Sequence, residues 1–385
     1  MKNHKQNKII NKPSTRLFVV DPKGELAKIT ARPEDIIIAP KDRIHGYGVD
    51  PLYLLKDNPS DSDIVLVMRD VCTSIIPQKT RDNDFWSKQA RVMLFACIVH
   101  GFKIRGLNTI TSLIEYVLSS PISDIINEIV ETALPHSKER MSAINFHKMA
   151  EETLTSVYAN MHEAIWPLVQ DNDIAWALGA CPRKFSPDLL RTRNVYLCIP
   201  TEKLEDWSQL VLLTLNTLLR YIIGLPESSE EPDRLPITIL WDEAGATIQK
   251  SGRVDLYAQA LRIARSKGCH IITILQDPDV LRSAYSEAEI NEMMTNTAYK
   301  LYMSGSENPK RIIEQCGKYK CRKVAWNDNK KKRSVSYTEE NLIDAKDLIE
   351  LPSTGEAILI SSKAGYNRIK KVAYYNDPFF TEREV

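Results

Sequence analysis

Two carboxylates in succession, Asp242 and Glu243, end the apolar run ITILWDE at 237–243. A buried strand must shed its charges somewhere, and the carboxyl ends of parallel strands are where open α/β sheets bind their ligands. The pair can therefore be a plain strand stop, a metal site or the acidic half of a nucleotide site. In phosphoryl transfer with Mg²⁺, one carboxylate holds the water shell of the metal and the next orients the attacking water. Gln276 closes the next apolar run, HIITILQ at 270–276. A neutral amide there can sense a terminal phosphate, or simply satisfy its hydrogen bonds in the interior. Between the two runs, ALRIARSKG (260–268) puts Arg262 and Arg265 at the end of a helical pattern. They serve either as surface charges or as a finger reaching a neighbour's nucleotide. Upstream, VVDPKGEL (19–26) reads as a strand ending at Asp21, a tight turn and the start of a helix.

The elements that must position these groups recur along the chain. Short apolar runs stop at polar or turn residues: RLFVVD (16–21), DIIIAP (35–40), NVYLCIP (194–200), ITILWDE, HIITILQ and YKLYMSG (299–305). Continuous rather than alternating runs favour a largely parallel sheet covered by helices. DLYAQALRIARSKG (255–268) follows helical spacing through Val254, Tyr257, Leu261 and Ala264, with Gly268 closing it. Strand and helix alternate, which is the mark of an α/β domain. From about Asp84 to Leu178 the strand signal vanishes and helical patterns follow one another. The expected organisation is an α/β domain begun by residues 1–104, an all-α insertion at 105–178, and the remainder of the α/β domain at 179–385. Residues 318–340, polar and basic, are expected to form a loop. EAILISS (356–362) and IKKVAYY (369–375) are expected strands.

Composition narrows the class. The 385 residues are 43% hydrophobic and 26% charged, as in ordinary soluble proteins, and the net charge of +1 does not announce a nucleic-acid partner. Charge is uneven, however. Residues 1–20 carry Lys2, Lys5, Lys8, Lys12 and Arg16 without an acid, and 317–333 carry eight basic residues against Asp328. Such runs suit phosphate backbones or anionic lipid, and equally serve as solvated loops. Seven scattered cysteines, with no C-x-x-C pair, imply a reduced, intracellular protein without a thiol-bound metal. The longest apolar stretch, LVLLTLNTLLRYIIGL (210–225), is too short and too interrupted to span a bilayer and is expected to be a buried helix. With no apolar signal segment at its start, the chain is expected to be soluble.

Taken together, strand–Asp-Glu, helix–Arg-x-x-Gly and strand–Gln follow within 35 residues. In this order the chain resembles the type IV secretion coupling proteins, the VirD4/TraG group of conjugative DNA-transfer ATPases. The resemblance rests on STRLFVVDPKGELAKITA, NDFWSKQARVMLFACIV, RNVYLCIPTEKLEDWSQLVLLTLNTLL, ILWDEAGAT, LRIARSKGCHIITILQD and EINEMMTNTAYKLYMSG. It continues through LIDAKDLIELPSTGEAILISS and KKVAYYNDPFF at the close of the chain. It implies a RecA-like P-loop NTPase core of α/β class with an inserted all-α domain. It further implies ATP and Mg²⁺ as ligands, with Asp242 holding the metal and Glu243 activating the hydrolytic water. Gln276 would sense the γ-phosphate, Arg265 would reach a nucleotide on the adjacent subunit, and Asp21 and Lys23 of the DPKGE motif would lie on the nucleotide. Single-stranded DNA, a relaxase and the secretion channel are the implied partners. A homo-hexamer at the cytoplasmic face of the membrane is the implied assembly. Trp241, Gly245 and Asp277 depart locally from the family's usual wording.

One motif is not in the sequence. A phosphate loop needs G-x-x-x-x-G-K-S/T between a strand and a helix, so that backbone N–H groups cradle phosphates. CGKYK (316–320) is the nearest approach and lacks the first glycine and the hydroxyl. In the family that loop precedes the strand ending in DPKGE, so the expectation is a parent whose N-terminus is absent here. Without the cradle, this chain alone is expected to bind ATP weakly or not at all. A non-catalytic adaptor that binds DNA and relaxase is the competing expectation.

Overall fold

The computed structural model describes residues 15–78, 85–303, 309–327 and 332–377. The chain divides into two compact units at Met293/Met294. The first begins with β1 (Arg16–Val20), α1 (Glu25–Thr30), β2 (Ile36–Ile38) and β3 (Gly48–Val49). A helical stretch follows: α2 (Asp61–Ile75), α3 (Phe85–Lys103), α4 (Ile110–Leu118), α5 (Ile122–Thr132), α6 (Lys138–His147) and α7 (Glu151–Ile165). The short α8 (Pro167–Gln170) and α9 (Asn172–Ala175) close it. Ser60 starts α2 and Thr109 starts α4 through capping boxes with Asp63 and Ser112, which satisfy N–H groups that a first helical turn leaves free. Helices α4 to α7 pack on α3, whose Ala90–Gly101 segment is largely buried.

The chain then returns to the sheet with β4 (Lys184–Phe185), β5 (Val195–Leu197), α10 (Ser208–Gly224) and β6 (Ile237–Trp241). It continues through α11 (Ala244–Ser251), α12 (Tyr257–Ile263), β7 (Cys269–Thr273) and α13 (Glu287–Asn296). Five strands form one sheet in the order β2-β5-β1-β6-β7, with every neighbouring pair parallel. Phe18, Val19 and Val20 on the central β1 are buried, and β5 is buried throughout, which accounts for runs without alternation. Helix α10 is interior along most of its length and packs on α2, α11 and α12. The charge that interrupts its sequence, Arg220, makes a two-pronged pair with Asp70 of α2 at 2.5 and 2.8 Å. No helix among the described residues is long and apolar enough to cross a membrane, and all seven cysteines are free.

The second unit corrects three expectations. It holds β8 (Tyr299–Tyr302), α14 (Pro309–Cys316), β9 (Lys318–Asn327), β10 (Lys332–Asn341), α15 (Ala345–Thr354), β11 (Glu356–Ser361) and β12 (Gly365–Lys370). The run expected as another parallel strand, YKLYMSG, supplies β8, which pairs antiparallel in a separate sheet of order β12-β11-β8. The last expected strand shifts forward, since β12 ends at Lys370. Residues 318–340, expected as a loop, form the antiparallel hairpin β9–β10, in register from Lys318↔Asn341 to Asn327↔Lys332. Tyr319, Val324, Val335 and Tyr337 are all more than 40% exposed, so among the described residues neither face of the ribbon presents an apolar core side. A strand with no buried face leaves no apolar alternation to read. Lys330, Lys331 and Asp328, like the lysines before residue 15, lie outside the described residues.

Candidate active site

At the carboxyl edge of the sheet, β1 and β6 end side by side, Val20 paired with Trp241 and Trp241 with Thr273. After β1 the chain turns sharply. Gly24, at φ +67°, adopts the left-handed conformation that glycine takes without steric cost and donates its N–H to the Asp21 carbonyl at 3.1 Å. Asp21 is 1% exposed, and its Oδ2 accepts the Ala27 N–H at 2.8 Å, so this carboxylate caps the first turn of α1. The same turn carries Lys23 out over the edge.

After β6 the turn is tighter still. Glu243 sits at φ +48°, ψ 40°, a left-handed conformation that costs a side-chain-bearing residue about 1–2 kcal/mol. Its N–H donates to Asp242 Oδ1 at 3.0 Å, and the next N–H, of Ala244, donates to the Ile274 carbonyl at 3.0 Å. The pair is thereby pinned between β6 and the end of β7. Lys23 Nζ lies 2.8 Å from Glu243 Oε1, the lysine side chain 53% exposed and the glutamate 22%. Hydrogen bonding and charge from Glu243 raise the Lys23 pKa. Burial pushes the Asp242 pKa up, and the charges of Glu243 and Asp21 add to this, against the opposing Glu243 N–H and Lys23.

The arrangement suits one half of a metal-nucleotide site. Among the described residues no group of three or more His, Cys, Asp or Glu side chains converges to cage a metal. Mg²⁺ does not require one, since it binds through one or two carboxylates together with phosphates and water. A partly desolvated carboxylate with two acidic neighbours is stabilised by an added cation, and Asp242 is that group. CGKYK does not supply the phosphate side: Cys316 ends α14 and Lys318 begins β9, so it is a helix-to-strand junction, the reverse of a phosphate loop.

Gln276 stands at the same edge, exposed, three residues past the end of β7. The run HIITILQ therefore stops pairing earlier than expected. Arg265 is exposed in the turn before β7, whose first residue, Cys269, pairs with Ile237 at the start of β6. It is at the amino edge, a strand's length of about 16 Å from the acids at about 3.3 Å per residue. Within one chain the structure brings Asp21, Lys23, Asp242 and Glu243 together, sets Gln276 on their edge, and holds Arg265 apart. Arg262 pairs with Glu292 at 3.2 Å. The residues that depart from the family wording have local explanations. The Trp241 ring is buried edge-on to Tyr257, centroids 5.5 Å apart, and the Tyr257 hydroxyl meets Thr273 Oγ1 at 2.6 Å. A Cβ on Gly245 would come within 3.3 Å of Val280. Asp277 accepts the Asp279 N–H at 2.8 Å. Sequence reasoning missed the ion pair between Lys23 and Glu243. Its only signal was a lysine in a tight turn after a strand whose neighbour was not yet known.

The model of the family described as type IV secretory system conjugative DNA transfer matches residues 8–385. The chain belongs to this family. Among solved structures, the conjugative coupling protein TrwBdeltaN70 in its unbound monoclinic form superposes with a TM-score of 0.71 at 16% identity, over 93% of this chain and 78% of that one. TrwB with ADP and Mg²⁺ gives 0.70 at 16% identity, over the same shares. TrwB with the non-hydrolysable ATP analogue ADPNP gives 0.68 at 17%, again over 93% and 78%. At these identities the likeness establishes the fold, a RecA-like α/β core. No curated protein matches the chain. As a member of the family, the chain is a conjugative coupling protein of type IV secretion.

Proposed function

We propose that this chain is motor machinery of its coupling protein, using ATP and Mg²⁺ to drive single-stranded DNA with its attached relaxase towards the type IV secretion channel. The observation that carries the reading is the meeting of Asp242 and Glu243 on the carboxyl edge of a parallel sheet, beside the Asp21–Lys23 turn. Asp242 holds the metal, Glu243 orients water for attack, Gln276 senses the terminal phosphate, and Lys23 with Asp21's turn borders the nucleotide. Bound MgATP supplies the phosphoanhydride to be cleaved and the cation that Asp242 lacks. Arg265, on the opposite edge, suits a ring in which one subunit's arginine meets its neighbour's nucleotide, and a homo-hexamer at the cytoplasmic face of the membrane accommodates this. In this reading the helices from 105 to 178 are the all-α domain that interrupts the core, which resumes at 179. The β9–β10 hairpin, with exposed Lys320, Arg322, Lys323, Tyr319 and Tyr337, fits a DNA backbone and its bases.

A second reading has its own observation. The exposed basic hairpin β9–β10 suits equally an adaptor that binds DNA and relaxase without hydrolysing nucleotide. Replacing Glu243 by Gln in cells carrying the transfer system separates the two. Under the motor reading transfer is abolished while the protein still accumulates; transfer at the wild-type frequency leaves the adaptor. On the isolated chain, ATP with Mg²⁺ is expected to bind weakly, so that occupancy requires ligand well above its dissociation constant.

A further inference from the structure

We propose that Lys23 is a positioning residue for Glu243: without nucleotide its ammonium holds the carboxylate at the rim, and an arriving triphosphate takes the ammonium over and frees the carboxylate for water. The positioning role rests on the motor reading above; the ion pair itself does not.

Three features of the site support this exchange. First, the pair is close and selective. Nζ lies 2.8 Å from Oε1, and among the described residues no other cation pairs with Glu243. Second, the backbone on both sides is fixed. Lys23 lies within the turn closed by Gly24 and the Asp21 cap, and Glu243 is held left-handed by the Ala244–Ile274 bond. Only the side chains can move, so breaking the pair releases a carboxylate already standing at the strand end. Third, the charges are unequal. Asp21, Asp242 and Glu243 share this edge with Lys23, whose side chain is half open to solvent. A triphosphate offers it more negative charge than one glutamate does, and is reached without dismantling any packing. A lysine serving only to tether two strand ends would be expected to be buried and capped by further acceptors.

A zero-length carbodiimide tests the inference, because it joins an amine to a carboxylate only where the two touch. The intact chain is treated with and without inorganic tripolyphosphate and Mg²⁺, and coupled peptides are quantified by mass spectrometry. Lys267 and Glu227, 2.9 Å apart near the opposite edge, provide the reference pair. Lys23–Glu243 coupling is expected without the anion and to be absent in Glu243→Gln. It is expected to fall about tenfold when the anion exceeds its dissociation constant about tenfold, with Lys267–Glu227 unchanged. Failure of Lys23 to couple while Lys267 does would overturn the ion pair. Coupling that tripolyphosphate leaves undiminished would overturn the exchange. Coupling that responds to the anion, in a protein whose Glu243→Gln form still transfers DNA normally, would keep the exchange and remove the motor reading.

Discussion

Two clusters of charged groups in the first unit are treated in opposite ways. In the helical region, Lys103 Nζ sits between Asp61 at 2.9 Å and Glu139 at 3.4 Å, with the Glu139 side chain 3% exposed. Beside it the buried His100 uses both ring nitrogens, Nδ1 to the Tyr116 hydroxyl at 3.0 Å and Nε2 to Thr132 Oγ1 at 2.8 Å. At the sheet edge, three carboxylates share one half-exposed lysine, and the most desolvated of the rim pair, Asp242, has its pKa raised. The first arrangement spends its charges on itself. The second leaves negative charge uncompensated where solvent and ligands can reach it. Charged residues that the fold satisfies report on stability, and those it leaves short report on chemistry.

The comparison breaks most plainly if the rim acids prove structural. Under the motor reading, Glu243→Gln is expected to lower DNA transfer by about 10²–10⁴-fold, the usual worth of a positioned base. Its melting temperature should equal or exceed that of the wild type, because one of three neighbouring negative charges is removed. A large drop in melting temperature would place Glu243 with the helical network instead.

Lys103→Met is the converse test. It leaves Glu139 buried, with Oε2 already lacking a hydrogen-bond partner, and removing one member of a buried pair costs about 3–5 kcal/mol. Burial lowers the Lys103 pKa, but Asp61 and Glu139 raise it by more, so the lysine is charged and its loss is a loss of charge pairing. Urea unfolding measures the cost directly. A change below about 1 kcal/mol, the range of surface pairs, would mean the network is solvated after all.

These two sites were not equally legible in the sequence. Asp242 and Glu243 were visible because the run ITILW, four of its five residues apolar, stops at them, and a buried strand cannot carry two acids. Gln276 was placed on a strand that ends three residues earlier: β7 is the edge strand, Ile272 and Ile274 are nearly half exposed, and apolar character there does not imply pairing. The Lys23–Glu243 pair required knowing that β1 and β6 are neighbours. Two hundred and twenty residues separate them, and local pattern carries no information on which parallel strands adjoin. The insertion of β5 between β2 and β1 was hidden for the same reason. Hairpin β9–β10 escaped because its described apolar side chains, Tyr319, Val324, Val335 and Tyr337, are exposed and impose no pattern.

Where the helical region meets the sheet side, glycine sharpens the contrast by size alone. A Cβ on Gly48 of β3 would stand 2.1 Å from the Ala177 carbonyl oxygen, which backbone must move to accommodate. Gly48→Ala is expected to destabilise by about 1–3 kcal/mol, the range of overpacked interiors. Denaturant midpoints should show this with transfer chemistry intact in the folded fraction. A neutral result would mean that β3 and the Ala177 turn are not held together in solution.

The smallest effect concerns protons. Burial lowers the His100 pKa from 6.5, and Arg105 lowers it further, while Glu128 and Glu139 pull the other way. A histidine whose pKa is lower folded than unfolded stays neutral in the fold and takes up its proton first on unfolding. Its contribution is therefore complete above the unfolded value and is lost as pH falls through 6.5 towards the folded value. Acidic side chains lose stability with acid as well, so the informative quantity is a difference. His100→Gln keeps an amide that can meet Tyr116 and Thr132 but cannot titrate. Its unfolding free energy should lie below that of the wild type at neutral pH, and the gap should narrow as the pH is lowered. Curves that run parallel across that window would mean that His100 carries its proton in the folded state, and that the helical region keeps an open charge after all.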